Sequence, residues 1–302
     1  MSGLDDLFRE EASIPSATKR GDQAFNKEAW VQKKQELRQW TYDTIDTASL
    51  QIAQSGEGFQ QYLDVQSRFD RYSVANALLI LAQRPEATRI ADFEGWKEQG
   101  VFIRRKETGF YILEPGESYK REDGSTAISY NPKRMFDISQ TTALPKQEQN
   151  VMPDERAKIK ALIERAPVPI TMSDSLPSEM HALYQPDTRS IVIRRGLAAG
   201  DIFRALTQEL AHAEMDKGNG QYARSESSLQ AYCAAYMLSK QFGFSTSSFS
   251  FQRVPELLGK MEPQQLRKEL TYMKEAAQPS IVRMNRQLSQ QQRQAKRSEP
   301  TR

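Results

Sequence analysis

The residues whose types and spacing most resemble a reaction centre form one run, Gln208-Glu209-Leu210-Ala211-His212. In an HExxH helix, two histidines one turn apart chelate zinc, and the glutamate between them is the general base on the metal-bound water. Here the spacing and the glutamate are kept, but Gln208 stands in the first histidine position. A neutral carboxamide oxygen is a poor zinc ligand beside imidazole. A third ligand should come from the following helix. Gln230 and Tyr232 occupy the positions where an acid would be sought, and Glu226, one turn before Gln230, is the carboxylate that remains. Cys233 is a possible soft ligand, yet it points well away from Tyr232 on a helix. Two readings follow: a zinc centre with Glu209 as base and His212 and Glu226 as ligands, or a zinc-free polar cluster in a core. His181, at the start of a hairpin, is assigned no role.

A second set of residues suits polyanion binding. Arg68, Arg71 and Tyr72 close one helix, and Arg84, Lys97, Arg104, Arg105 and Lys106 follow, with Tyr111 among the aromatics nearby. Single-stranded nucleic acid needs cations to track its phosphates and flat rings on which bases stack, at about 1–3 kcal/mol per stacked base. Residues 66–111 carry eight cations against six acids, so any footprint depends on which face each charge occupies. The alternative is a solvated turn on a sheet whose aromatics face the core.

The elements that must position these groups follow from periodicity. Trp30, Leu37, Trp40, Thr41, Ile45, Ala48 and Ile52 predict an amphipathic helix over 28–54, and further helices are predicted at 59–69 and 73–83. The last is apolar nearly all round, as a buried helix is, with Asn76 its polar exception and a candidate internal hydrogen-bonding device. Residues 100–115 read as strand, turn and strand with the basic triplet near the turn, and 126–130 and 134–138 as two short strands. The segment 139–153 reads as a linker. Beyond it come a helix at 154–165, an extended piece at 169–172, a hairpin at 181–194, and helices at 201–216, 225–242 and within 262–277. The expectation is an α+β chain. A flexible lead-in (1–27) precedes N-terminal helices with a small antiparallel sheet (28–138). After the linker come a second α+β domain (154–277) and a basic, disordered tail (278–302) with net charge +5.

Composition narrows the classes. The 302 residues carry a net charge of +3 and one cysteine, Cys233, which excludes a disulfide framework and a cysteine-rich zinc module. No apolar run approaches the ~18 residues of a membrane span, and the N-terminus lacks a signal-peptide layout. The expectation is a cytoplasmic protein with no membrane partner.

The run from Arg71 to Pro85, Phe93-Glu-Gly-Trp96, Gly100 and the basic segment after it resemble the N-terminal domain of ArdC-type antirestriction proteins. The LtrC-like branch on conjugative elements is the closest in flavour, and Tyr130–Gln140 belongs to the same likeness. Residues 182–187, 191–196, the QELAH run and 231–251 resemble the family's zincin-like metallopeptidase domain. This resemblance, over about residues 28–275, implies a domain that binds single-stranded DNA and a peptidase-shaped domain that departs from the zinc pattern at two of three ligand positions. It implies an antirestriction-like accessory of plasmid transfer, a catalytically degenerate pseudoenzyme without a cofactor. The other expectations left open are a zinc metallopeptidase with a non-standard ligand set, and an adaptor that docks a host or plasmid protein.

Overall fold

A computed structural model of the chain describes residues 27–143 and 154–298. The described residues divide into two compact units, one built from residues 27–48 and 75–143 and the other from 49–74 and 154–298. The architecture is α+β, as the periodicity predicts.

In the first unit, helix α1 (Lys27–Ala53, which runs on into the second unit) contributes Thr41, Ile45 and Ala48 to the core, while its early turns are exposed. Helix α3 (Val74–Gln83) follows α2, an element of the second unit. Ala77, Leu78, Leu79 and Ile80 of α3 are fully buried. The sheet has the order β1-β3-β2 and is antiparallel, with β1 at Ile90–Ala91, β2 at Phe110–Lys120 and β3 at Thr126–Asp137. Between β1 and β2, α4 (Phe93–Glu98) is capped by Asp92, which accepts from the Gly95 N–H at 2.8 Å. It buries Trp96, whose indole donates to the Phe136 carbonyl.

The hairpin lies elsewhere than the sequence reading placed it. Residues 100–109 form no strand pair with 110–115. They make a loop tied down by an Ile103–Thr141 bridge and by Arg104 N–H donating to the Gln140 carbonyl. The partner of β2 is β3, because Asp123-Gly124 supplies the tight turn. Gly124 adopts φ +80°, the Asp123 carboxylate accepts from the Ser125 N–H, and Arg121 and Ser125 close the loop. The two short strands expected on either side of Asn131-Pro132 are one strand. Proline is tolerated there because Pro132 faces Leu113, and Leu113 directs both its N–H and its C=O to Asn76 instead of across the ladder. The missing proline N–H therefore removes no bond to β2.

The first residues of the expected linker are folded. Asp137 caps a 3-10 turn at Ile138–Gln140, and Gln140 and Thr141 are buried. Residues 144–153 of that linker, and most of the lead-in, lie outside the described residues.

In the second unit, α2 (Gly56–Arg68) packs Phe59, Tyr62 and Leu63 at zero exposure. After α5 (Glu155–Ile163), a mixed sheet of order β4-β6-β5 has β4 (Ile170–Ser173) parallel to β6 (Ser190–Arg194) and β5 (Ala182–Gln185) antiparallel to it. Helices α6 (Ala199–Met215) and α7 (Arg224–Gln241), the short α8 (Val254–Leu258) and the long α9 (Pro263–Ser298) complete it. Helix α9 continues over 278–298, across the expected disordered tail and through Pro279. Ala277, Ile281, Met284 and Gln287 recur at helical spacing and are buried, so packing compensates for the proline.

Candidate nucleic-acid groove and the QELAH cluster

The cations singled out by sequence fall in both units. Arg68 and Arg71 are exposed at the end of α2 and just beyond it, and Tyr72 packs edge-on against Phe69. In the first unit, Arg84 and Arg104 converge on Ser139: Arg84 donates to its hydroxyl at 3.3 Å and Arg104 to its carbonyl. Arg84 also pairs with Glu86, Arg104 with Glu107 and Lys97 with Glu94. Arg105 and Lys106 are exposed near Phe102, which is 59% exposed, and Lys106 takes a left-handed φ of 70°. Tyr111 is not a stacking platform. It is 7% exposed, its ring meets Trp40 edge-on, and its hydroxyl accepts from Arg134 at 3.0 Å. The strand register decides this, since Tyr111 sits opposite Arg134 on a covered face.

Asn76 and Gln83 act as a pair. Two turns apart on α3, they take up the free edge of β2: Asn76 donates to the Leu113 carbonyl at 2.9 Å and accepts its N–H at 2.7 Å. Gln83 does the same for Tyr111 at 2.8 and 2.9 Å. Two carboxamides thus replace a neighbouring strand along this stretch of edge.

A groove that the sequence reading missed lies on the first half of α1. Trp30, Val31, Lys34, Gln35 and Arg38 line it together with Asn131 and Pro132 of β3, around about 310 Å³. Trp30, Lys34 and Arg38 recur every four residues and so share a helix face. Trp30 is 51% exposed, with the Lys34 ammonium 5.4 Å from its ring centre. The signal was in the sequence, where Trp30 served only as a mark of helical period.

In the second unit, the QELAH run lies on α6. Glu209, 3% exposed, receives three donors: Arg224 Nη2 at 2.6 Å on Oε1, Arg224 Nη1 at 2.8 Å on Oε2, and the Tyr184 N–H at 2.7 Å on Oε2. His212 is fully buried. Its Nδ1 lies 2.8 Å from the Tyr222 hydroxyl, and its Nε2 has no partner. Burial, with Arg224 adding to it, pushes the His212 imidazole down to about 3, so the ring is neutral at physiological pH. The Tyr184 hydroxyl donates to Asp216 at 2.8 Å and is pushed up to about 12, first by burial and then by that carboxylate. Hydrogen bonds from Gly218 N–H and from Tyr184 hold Asp216 below the usual carboxylate range.

The remaining zinc-reading residues stand apart from this cluster. Glu226 is exposed, Gln230 donates to Glu269 at 2.9 Å, and the Tyr232 hydroxyl accepts from the Ser250 N–H. Cys233 is fully buried, and burial pushes its thiol up, away from the thiolate a metal requires. His181 lies 3.4 Å from Arg204, which pairs with Asp201. Among the described residues no three His, Cys, Asp or Glu side chains gather as a metal ion would need. With both Glu209 oxygens held by a guanidinium, these residues do not fit a catalytic zinc, which needs about three protein ligands and a free base.

No helix among the described residues is long and apolar enough to cross a membrane. No family model and no curated protein matches the chain. It is similar to two crystal structures of the antirestriction ArdC protein from the R388 plasmid. The metal-free form is 18% identical over 71% of this chain and 86% of that one, with a TM-score of 0.48. The Mn(II)-bound form is 18% identical over 74% and 97%, also at 0.48.

Proposed function

We propose that the chain is a single-stranded-DNA-binding accessory of a mobile, conjugative element, antirestriction-like in output, whose second unit is peptidase-like in ancestry and non-catalytic. The observation that carries the reading is the α1 groove, where an exposed indole and two cations share one helix face. An unpaired base can stack on Trp30 while Lys34 and Arg38 hold the phosphates on either side. A duplex, whose bases are already stacked, gains only the charge contacts. Arg105 and Lys106, exposed and without an ion pair among the described residues, offer a second phosphate contact.

Fluorescence anisotropy on labelled oligothymidine and on duplex DNA, across a salt series, tests this. Trp30→Ala should weaken single-strand binding about 5- to 150-fold, equivalent to one stacked base at ~1–3 kcal/mol. Lys34→Ala and Arg38→Ala should each flatten the log–log salt slope by about 0.7. Unchanged affinity and slope in all three variants would remove the groove as the site.

A further inference from the structure

We infer that Arg224 is the resident cation of the QELAH cluster. Its guanidinium compensates Glu209, so that a side chain of the protein closes this cluster to divalent metal and cross-links the unit as a structural ion would. The inference deepens, and rests on, the reading of the second unit as non-catalytic.

Glu209 and Arg224 meet fork to fork at 2.6 and 2.8 Å, the arrangement in which a guanidinium matches a carboxylate best. The third bond, from the Tyr184 N–H, brings in β5, so the pair joins three elements: α6 through Glu209, α7 through Arg224 and β5 through Tyr184. Two residues before Arg224, Tyr222 takes His212 Nδ1 and packs edge-on against both His212 and Tyr184. One short stretch of chain thus supplies partners for both surviving members of the HExxH pattern. Both Glu209 oxygens are engaged by the guanidinium, so the carboxylate is no free base, Gln208 offers only a neutral amide, and His212 Nε2 is a single donor where a zinc centre takes three or four. A dication entering beside it would face a fixed positive charge already bonded to the only buried carboxylate of the run.

The test uses the full-length chain. After incubation with zinc or manganese chloride and gel filtration, elemental analysis should find less than about 0.1 metal per chain, far below a centre with three protein ligands. The melting temperature should agree within about 1 °C in EDTA and in excess zinc, since no metal-binding energy is linked to folding. Arg224→Met should lower it by more than about 4 °C, because it strands the buried Glu209 carboxylate, and Glu209→Gln by less, because the Arg224 side chain is 39% exposed and water can solvate it. The double variant should lose clearly less than the sum of the two. Stoichiometric metal in the wild-type chain, melting that depends on chelator, or additive losses would overturn the inference. Where Arg224→Met does not fold, the wild-type metal content and chelator melts decide alone. Casein hydrolysis is followed on the same samples, so failure of the non-catalytic reading registers as cleavage and failure of this inference as bound metal.

Discussion

Replacing Asn76 by alanine tests whether a side chain can substitute for a β-strand. Asn76 is 7% exposed, and Leu113, whose N–H and C=O it satisfies at 2.7 and 2.9 Å, is 8% exposed. With alanine there, water cannot reach the vacated groups without opening the α3–β2 interface. Each buried main-chain group left unsatisfied costs about 1–3 kcal/mol, so the pair should cost about 2–6 kcal/mol, with ~4 kcal/mol the central expectation. Gln83→Ala removes the equivalent pair at Tyr111, but those bonds are only partly buried. Water can replace part of them, and a loss of about 1–2 kcal/mol is expected. Urea denaturation followed by tryptophan fluorescence reads the stabilities, with buried Trp96 reporting on the same unit. Hydrogen exchange supplies the residue-level check. The Leu113 amide should be protected in the wild type and in Gln83→Ala, and should exchange faster in Asn76→Ala by several orders of magnitude. A loss below about 1 kcal/mol for Asn76→Ala, or an equally protected Leu113 amide, would refute the reasoning.

Asp137 is 2% exposed and accepts from Ser139, Thr88 and Arg89 N–H groups. Burial alone would raise its carboxyl, but these bonds outweigh it and hold the group below the usual carboxylate range. Its contribution is therefore present above the unfolded value of about 3.9 and is lost as pH falls through the lower folded one. Asp137→Asn should be less stable than wild type at pH 7 by about 2 kcal/mol, and denaturation from pH 7 to 2 should show the gap closing in acid. Gly56→Ala should destabilise by about 1–3 kcal/mol, because a Cβ there falls 2.6 Å from the Phe251 carbonyl oxygen. Gly200→Ala, whose Cβ meets nothing within 4 Å inside α6, should instead stabilise by about 0.5–1 kcal/mol in the same assay. Arg105→Ala/Lys106→Ala should flatten the salt slope of oligothymidine binding by up to about 1.4, with an unchanged slope assigning all phosphate contacts elsewhere.

The sequence by itself determined the element types: the helical period of Trp40, Thr41, Ile45 and Ala48, the all-apolar turns of α3, and the α+β class of the chain, while the helix over 59–69, read with the N-terminal domain, falls in the second unit. These are properties of neighbours along the chain, and a period of 3.6 or 2 can be read from residue types alone. It also marked Asn76 as out of place in an apolar helix, and Gln208 as a break in a zinc pattern. Only the tertiary structure decided who meets whom. It paired β2 with β3 through an Asp-Gly turn, and so turned Tyr111 inward. It carried α9 through Pro279 because Ile281 and Met284 found a core to enter. It brought Arg224 to Glu209 across 15 residues and Pro132 to Trp30 across 102. Such pairings leave no local signature, because a guanidinium that serves as a counter-ion and one that merely faces solvent are spelled by the same residue.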